Sequence, residues 1–457
     1  MMEQMKGLQK LKGIGAVMSR FRRGSLMPVL SGIAFLLALA GCGGGSGDDY
    51  NYLLGDLAPT PTTSETTPVT SAPSTVVQPL SAGPYAVACS NVEQVFTRVG
   101  AEEEVTNYWE GLPDGDRTRY VTDLLPDPNY TLISTVNAPQ DSDLYGDFAG
   151  QEIKFVVIVC YPTTADNPRP DYPLSSTDRS VPHMQTGDEA PIFADESVRY
   201  PVVAFSHGYK GSPISSDDYM RALTVSASYG YIVIAPFHGD LRFANLSLDD
   251  LQLQDLIDLG VTTTNFTAMQ ALRPLAISAA LNLVLAHTQW KDHIDETKIG
   301  GFGASMGGQT MLLLAGAELT TTYFDIVPSS KQVTYDSRIK AAVGYVPYFG
   351  HPILPAFGNN QEGLDGISLP FLGICGTADT TAPISEAENG ISRLTGTRRL
   401  VALTGVGHEF DDASENDIFT WTVTFLDAEV RGDPDAISRL STMGSVAGGG
   451  DDNVWLY

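Results

Sequence analysis

Apolar residues in this chain fall into short unbroken blocks set between Gly-, Pro- and Asp-rich breaks. Glu152 to Pro162 (EIKFVVIVCYP), Arg199 to Ser206 (RYPVVAFS), Tyr231 to Pro236, Lys298 to Gly303, Ile339 to Val346, Pro370 to Cys375 and Arg399 to Leu403 are such blocks. A block without polar alternation predicts a strand buried on both faces, as in a parallel sheet. The stretches 216–229, 269–290, 309–317, 383–394 and 415–429 between or after them carry helix-forming residues. Strands alternating with helices predict an α/β fold: one mostly parallel central sheet with helices on both faces.

Other regions lack this order. Residues 90–150 break their apolar runs with Gly, Pro and Asp clusters and are expected to be irregular structure or small hairpins; 163–197 show no periodicity and are expected to wrap the surface. Residues 241–264 interrupt the alternation just after the strand at 231–236, with leucines at short helical spacing. A small lid over the sheet's carboxyl end and a plain surface helix both fit that pattern. A second insertion spans Thr321 to Ser337.

The N-terminus reads differently. Lys6, Lys10, Lys12, Arg20, Arg22 and Arg23 precede an apolar run from Leu26 to Ala40 that is too short to span a bilayer comfortably and reads as an export signal. Its end, Leu39-Ala40-Gly41-Cys42, resembles the bacterial lipobox. That resemblance implies that residues 1–41 are a lipoprotein signal peptide and that Cys42 becomes the lipidated first residue. The protein would then sit on the bacterial cell envelope, on its periplasmic or outer-surface face, without a transmembrane helix. Residues 42–82, rich in Gly, Ser, Thr, Pro and acid, form a disordered or extended tether, and 83–457 form a single folded domain.

Charge narrows the partners. Six of the 27 Lys and Arg and one of the 54 Asp and Glu lie before Cys42, so the chain from there carries 21 against 53, a formal charge of −32. Such a field repels nucleic acid and polyanions and argues against nucleic-acid binding. Of the remaining cysteines, Cys89 and Cys160 could pair in an oxidising compartment, leaving Cys375 buried in an apolar run. No Cys/His spacing suggests a metal site.

The chemistry centres on Gly303-Ala304-Ser305-Met306-Gly307. A strand-like run enters this Gly-x-Ser-x-Gly turn and a helix-forming run leaves it, which is the setting of an exposed serine nucleophile. Gly303 and Gly307 let strand and helix approach closely, and the Met306 N–H lies at a helix N-terminus, where a developing oxyanion is favoured. A dinucleotide fingerprint counted from Gly301 would need Gly or Ala where Met306 stands, and a P-loop would need Lys where Gln309 stands.

A serine hydroxyl needs a base, and that base needs an acid to fix its tautomer. Of the two histidines after Ser305, His408 follows the last strand block in Thr404-Gly405-Val406-Gly407-His408, whereas His351 precedes the best acid. That acid is Asp379, just past the block ending at Cys375; Glu362 and Asp365 come before that strand. The second oxyanion donor is expected in Ser206-His207-Gly208-Tyr209, with Tyr209 as donor. His207 is expected to shape that loop, and His238 to line the pocket or bond locally; both are candidate pocket-lining residues.

Together these residues resemble the α/β-hydrolase superfamily over roughly 150–430. Within it the chain looks most like the platelet-activating-factor acetylhydrolase, dienelactone-hydrolase-like and cutinase-type bacterial polyester-hydrolase groups. The likeness rests on Val203 to Gly208, Ile294 to Ile299, Gly303 to Gly308, Gly376 to Pro383 and Gly405 to His408. It implies a serine esterase acting through an acyl-enzyme on a small-molecule, lipid or polyester ester, with no cofactor or metal. Two departures stand out: dienelactone hydrolases proper use cysteine where Ser305 stands, and Ala304 occupies a position where the family often has His or Tyr. A prolyl-oligopeptidase-type peptidase lacks its propeller-like repeat here. A catalytically idle binding protein would have no need of all three triad residues.

Overall fold

Ten strands make the central sheet among the described residues: β1 (Ala86–Cys89), β2 (Leu132–Asn137), β3 (Glu152–Thr163), β4 (Tyr200–Ser206), β5 (Ile232–Pro236), β6 (Ile294–Ala304), β7 (Ile339–Tyr345), β8 (Phe371–Gly376), β9 (Arg398–Leu403) and β10 (Asp452–Leu456). Their spatial order is β1-β3-β5-β4-β6-β7-β8-β9-β10, and β2 pairs with β3 on the same edge as β1. The six strands from β5 to β9 in that order run parallel; β3 is antiparallel to β5, β1 and β2 are antiparallel to β3, and β10 is antiparallel to β9. The fold is mixed α/β with a mostly parallel sheet.

A computed structural model describes residues 75–114, 117–174, 179–244, 253–323, 329–351, 354–410, 412–448 and 452–456, with 253–264 and 452–456 by backbone alone. Residues 66–321 and 329–457 form one compact unit, to which everything below belongs. The leader, Cys42, the tether up to residue 74 and residues 245–252 of the insertion lie outside the described residues.

The helices are α1 (Thr106–Glu110), α2 (Ser142–Tyr145), α3 (Asp217–Ser228), α4 (Leu253–Ala286), α5 (Met306–Leu314), α6 (Ile384–Arg393), α7 (Glu415–Leu426) and α8 (Pro434–Thr442). They cover both faces of the sheet. On one face Val203, Phe205, Phe302 and Val343 pack with Ala222 and Leu223 of α3 and Trp421 and Phe425 of α7. The glycines of β6 show the division: a side chain on Gly300 would meet Leu426 of α7, and one on Gly301 would meet Met311 of α5.

The strands and helices around the sheet's centre start and stop close to where the apolar blocks do. Helix α3 begins at Ser216, whose hydroxyl accepts the Tyr219 N–H at 3.2 Å, with Asp217 and Asp218 in the first turn. Helix α4 is longer than the periodicity from Met269 suggests. It runs continuously from Leu253, so that much of the expected insertion is its first turns, and it carries Pro274 inside it. Its 265–286 segment is apolar and long enough to cross a membrane, yet it is mostly buried, packed on β2, β4 and β5.

Residues 90–150 hold more than hairpins. They supply β2, α1 and α2, and the Tyr120 hydroxyl fastens them to the sheet by donating to the Phe237 carbonyl at 2.6 Å and accepting the Val156 N–H at 3.1 Å. At the other end, α8 and β10 lie beyond the last element expected from the apolar pattern. Asp433 caps α8 through the Asp435 and Ala436 N–H groups, each at 2.9 Å, with Pro434 at the first helical position.

Cys89 and Cys160 face each other across the β1–β3 ladder and are disulfide-bonded; Cys375 is a buried free thiol. The bond joins residues 71 apart in sequence, so it restricts a large loop of the unfolded chain. Replacing both cysteines by alanine is expected to lower the unfolding free energy by about 2–5 kcal/mol in urea titrations. A loss below about 1 kcal/mol would show that the β1–β3 ladder holds its edge without the bond.

Candidate active site

The turn between β6 and α5 holds Ser305 at φ +52° and ψ −118°, a left-handed conformation that a residue with a Cβ rarely adopts. Crowding explains it. A methyl group on Gly303 would overlap the Gly307 carbonyl, and one on Gly307 would overlap the Ser206 carbonyl at the end of β4. Strand, turn and helix therefore pass within backbone contact, and the chain can reverse only through a strained residue. Three hydrogen bonds hold that residue in place. The Ser305 N–H donates to Tyr345 of β7 at 2.8 Å, and its carbonyl accepts from Gly308 at 2.9 Å and Tyr348 at 3.0 Å. Such strain costs roughly 1–3 kcal/mol and persists only where the surroundings over-determine it.

The loops after β8 and β9 bring in two more groups. The Asp379 carboxylate is buried; its Oδ1 accepts the Thr381 and Ala382 N–H groups at 2.8 Å each, and its Oδ2 lies 2.8 Å from His408 Nδ1. His408 Nε2 lies 3.0 Å from Ser305 Oγ. A carboxylate only accepts, so a neutral imidazole here carries its proton on Nδ1 and turns the Nε2 lone pair to the serine hydroxyl. The two loops are locked together by backbone contact. A side chain on Gly376 would strike the Val406 and Gly407 carbonyls, the Ala378 N–H donates to Val406 at 2.9 Å, and Gly405 turns at φ +79°.

The loop after β4 forms the third wall. Gly208 sits beside Ser305: a Cβ placed there would come 3.5 Å from the Ser305 Cβ. The Gly208 N–H donates to the Tyr219 hydroxyl at 3.0 Å, and burial pushes that phenol up to about 12. Gly208, Tyr209, Ser305, Met306 and His408 all line one cleft of about 380 Å³, with Glu110, Lys210 and Tyr348 among the other walls. Met306 opens α5, where the first N–H groups have no partner within the helix. The Glu110 carboxyl is pushed up to about 7, chiefly by burial; Lys210 works against that shift and Asp240 adds to it.

His207 shapes the loop after β4, as expected, and His238 bonds locally; neither takes the place at the pocket wall that was the other expectation for them. Both are buried behind it and neither borders the cleft. The reason is the polar interior that they serve. His207 Nδ1 donates to its neighbour's Gly208 carbonyl at 2.8 Å, its Nε2 accepts the His238 N–H at 3.2 Å, and His238 Nε2 lies 2.9 Å from the Ser206 hydroxyl. Burial, aided by the positive charge of Arg273, lowers His207 to about 3 and drives His238 well below the usual histidine range. His351 belongs to a short hairpin, Gly350–His351 with Leu354–Pro355.

Sequence reasoning missed the centre of that interior. Arg273 and Asp240 are both buried and joined through Arg273 Nε and Asp240 Oδ1 at 2.9 Å. A signal was present: Arg273 is the one charged residue between Met269 and Ala286. A lone charge in an apolar helix needs a buried partner. Glu110 and Tyr219 gave no comparable signal, because only the folded chain brings them to the cleft.

No family model matches the chain, and no curated protein matches its sequence.

The two depressed histidines carry a pH dependence. Below about pH 6.5 the unfolded chain takes up protons that the folded one refuses, so their contribution to stability is present above that pH and lost as pH falls. His238→Gln removes one such group. Urea unfolding of wild type and variant at pH 5 and 6 should show the variant's stability falling less steeply, by roughly 1 kcal/mol per pH unit. Identical slopes would mean that the ring is already protonated in the native state.

Proposed function

We propose that this protein is an exported serine esterase of the α/β-hydrolase fold, cleaving carboxylic esters through an acyl-enzyme and anchored to the bacterial cell envelope by lipidated Cys42. One observation carries the reading: Asp379, His408 and Ser305 form a continuous chain at 2.8 and 3.0 Å, and it ends on a serine held in a strained strand-to-helix turn. A serine kept only for packing would have no reason to face a histidine that is itself oriented by a buried carboxylate.

The chemistry follows from those roles. Ser305 Oγ attacks the ester carbonyl carbon as His408 Nε2 takes its proton, and Asp379 stabilises the imidazolium without accepting that proton. Charge collects on the carbonyl oxygen, between the N–H groups of Met306 and Tyr209. The tetrahedral adduct collapses, the alcohol leaves with the proton from His408, and the acyl group remains on Ser305. Water, activated by the same imidazole, then releases the acid and restores the serine. No step calls for a metal or a cofactor. A cleft of about 380 Å³ is in the range that holds a small ligand or the end of a longer one, which accords with small-molecule, lipid or polyester esters.

p-Nitrophenyl esters of increasing acyl length test the activity. Ser305→Ala is expected to cut kcat by about 10⁴-fold or more. Asp379→Asn should cut it by about 10³–10⁴-fold with KM little changed, because the wrong tautomer then faces the serine. An absence of turnover across the series, or turnover that survives Ser305→Ala, sinks the esterase reading. The anchor is tested separately by membrane fractionation, where Cys42→Ala should move the protein to the soluble fraction; retention on the membrane would overturn it.

A further inference from the structure

Building on the esterase reading, we infer that Tyr219 is a catalytic residue: its hydroxyl group donates a hydrogen bond to the ester's carbonyl oxygen as that oxygen takes up charge, which adds a side-chain donor to the oxyanion site beside Ser305.

Helix α3 and the loop after β4 place the ring together. Tyr219 stands in the first turn of α3, where the capping Ser216 hydroxyl holds its N–H at 3.2 Å. Its ring packs on Phe205 of β4, with centroids 6.1 Å apart. Two glycines clear its path. A Cβ on Gly211 would come 2.9 Å from Tyr219 Cε2, and one on Gly208 would come 2.5 Å from the hydroxyl oxygen, closer than side chains approach such neighbours. The phenol thus fills the space that side chains on this loop would need, and Tyr219 reaches the cleft that Ser305, Met306 and His408 also line.

Distance puts the hydroxyl at the reacting centre. The Cβ position on Gly208 that lies 2.5 Å from the Tyr219 oxygen also lies 3.5 Å from Ser305 Cβ, so that oxygen and Ser305 Cβ are at most about 6 Å apart. A hydrogen bond of about 3 Å covers half of that span, and an ester carbonyl bonded to Oγ occupies the other half. Valence then decides what the hydroxyl can offer. A phenol accepts through its oxygen and donates through its one proton. The oxygen accepts the Gly208 N–H at 3.0 Å, and among the described residues no acceptor takes the proton. Burial, foremost, pushes the phenol up to about 12, so it keeps that proton at neutral pH. The Gly208 N–H adds to the effect, because a hydroxyl that accepts one hydrogen bond is polarised to donate a stronger one.

The test separates giving the proton from accepting the Gly208 N–H. Tyr219→Phe removes both, and on p-nitrophenyl esters it should lower kcat about 10²–10³-fold, the loss typical of one oxyanion donor, with KM within about threefold. Placing 3-fluorotyrosine or 3,5-difluorotyrosine at this one position keeps the ring, and each fluorine makes the phenol a stronger donor and a weaker acceptor. The proposal expects kcat at neutral pH to rise along that series by about twofold or more. A phenol that only holds Gly208 would give a fall instead. A kcat for Tyr219→Phe within about threefold of wild type, a loss carried by KM alone, or a fluorotyrosine series that rises by less than about twofold, stays flat or falls overturns the proposal. Should Tyr219→Phe not fold, the fluorotyrosine series decides alone. Each of these results leaves the esterase reading standing as long as wild type turns over ester; if wild type hydrolyses none, that reading fails and this proposal falls with it.

Discussion

The close approach of β4, β6 and α5 is the constraint on which the rest of the site depends. Gly303 and Gly307 have no side chains because the Gly307 and Ser206 carbonyls occupy the space that a Cβ would need. With strand and helix in backbone contact, the residue between them is forced to φ +52°, and its hydroxyl stands clear of both elements. The bonds to Tyr345 and Tyr348 then tie the strained residue to β7 and the chain just after it, so the strain is shared by a network of parallel strands. An equally placed serine on an ordinary helix would lie along the helix surface, and no second loop could converge on it.

A second principle is that polar groups behind the site are used to shape backbone. His207, His238, Ser206, Asp240 and Arg273 are all buried; they bond one another and also main-chain groups of the loops after β4 and β5. The two imidazoles remain neutral because burial and the adjacent guanidinium both disfavour a second positive charge. His207 is therefore excluded as a base despite its nearness to the serine turn. His408, on the far side of the cleft, has a carboxylate behind it and a partly open face, with its side chain 21% exposed.

The edges of the sheet follow a different logic from its centre. The parallel strands from β5 to β9 are shielded on both faces, whereas β3 and β9 meet antiparallel neighbours that close the sheet's flanks. The disulfide lies on one of these flanks, between β1 and β3, and staples the start of the folded chain to the sheet.

Local sequence determined the elements at the centre of the sheet and the identities of the three groups that meet there. Ser305, Asp379 and His408 each follow an apolar strand block directly, and a parallel sheet delivers the ends of its strands to one side, so their convergence was legible from chain order alone. Tertiary structure decided the rest. β2, α1 and α2 come from residues 90–150, where Gly and Pro interruptions conceal short elements; β2 packs against β3 and α4, and α2 against α4. β10 pairs with the edge that β9 offers, and α4 extends back to Leu253, beyond the start that the apolar run from Met269 suggested. The histidines at 207 and 238 turned inward because Arg273, in the second half of a helix distant in sequence, and Asp240 created a polar interior there. Periodicity and spacing report what a residue does to its own neighbourhood in the chain; the direction of a side chain in a crowded interior is set by partners far away in sequence.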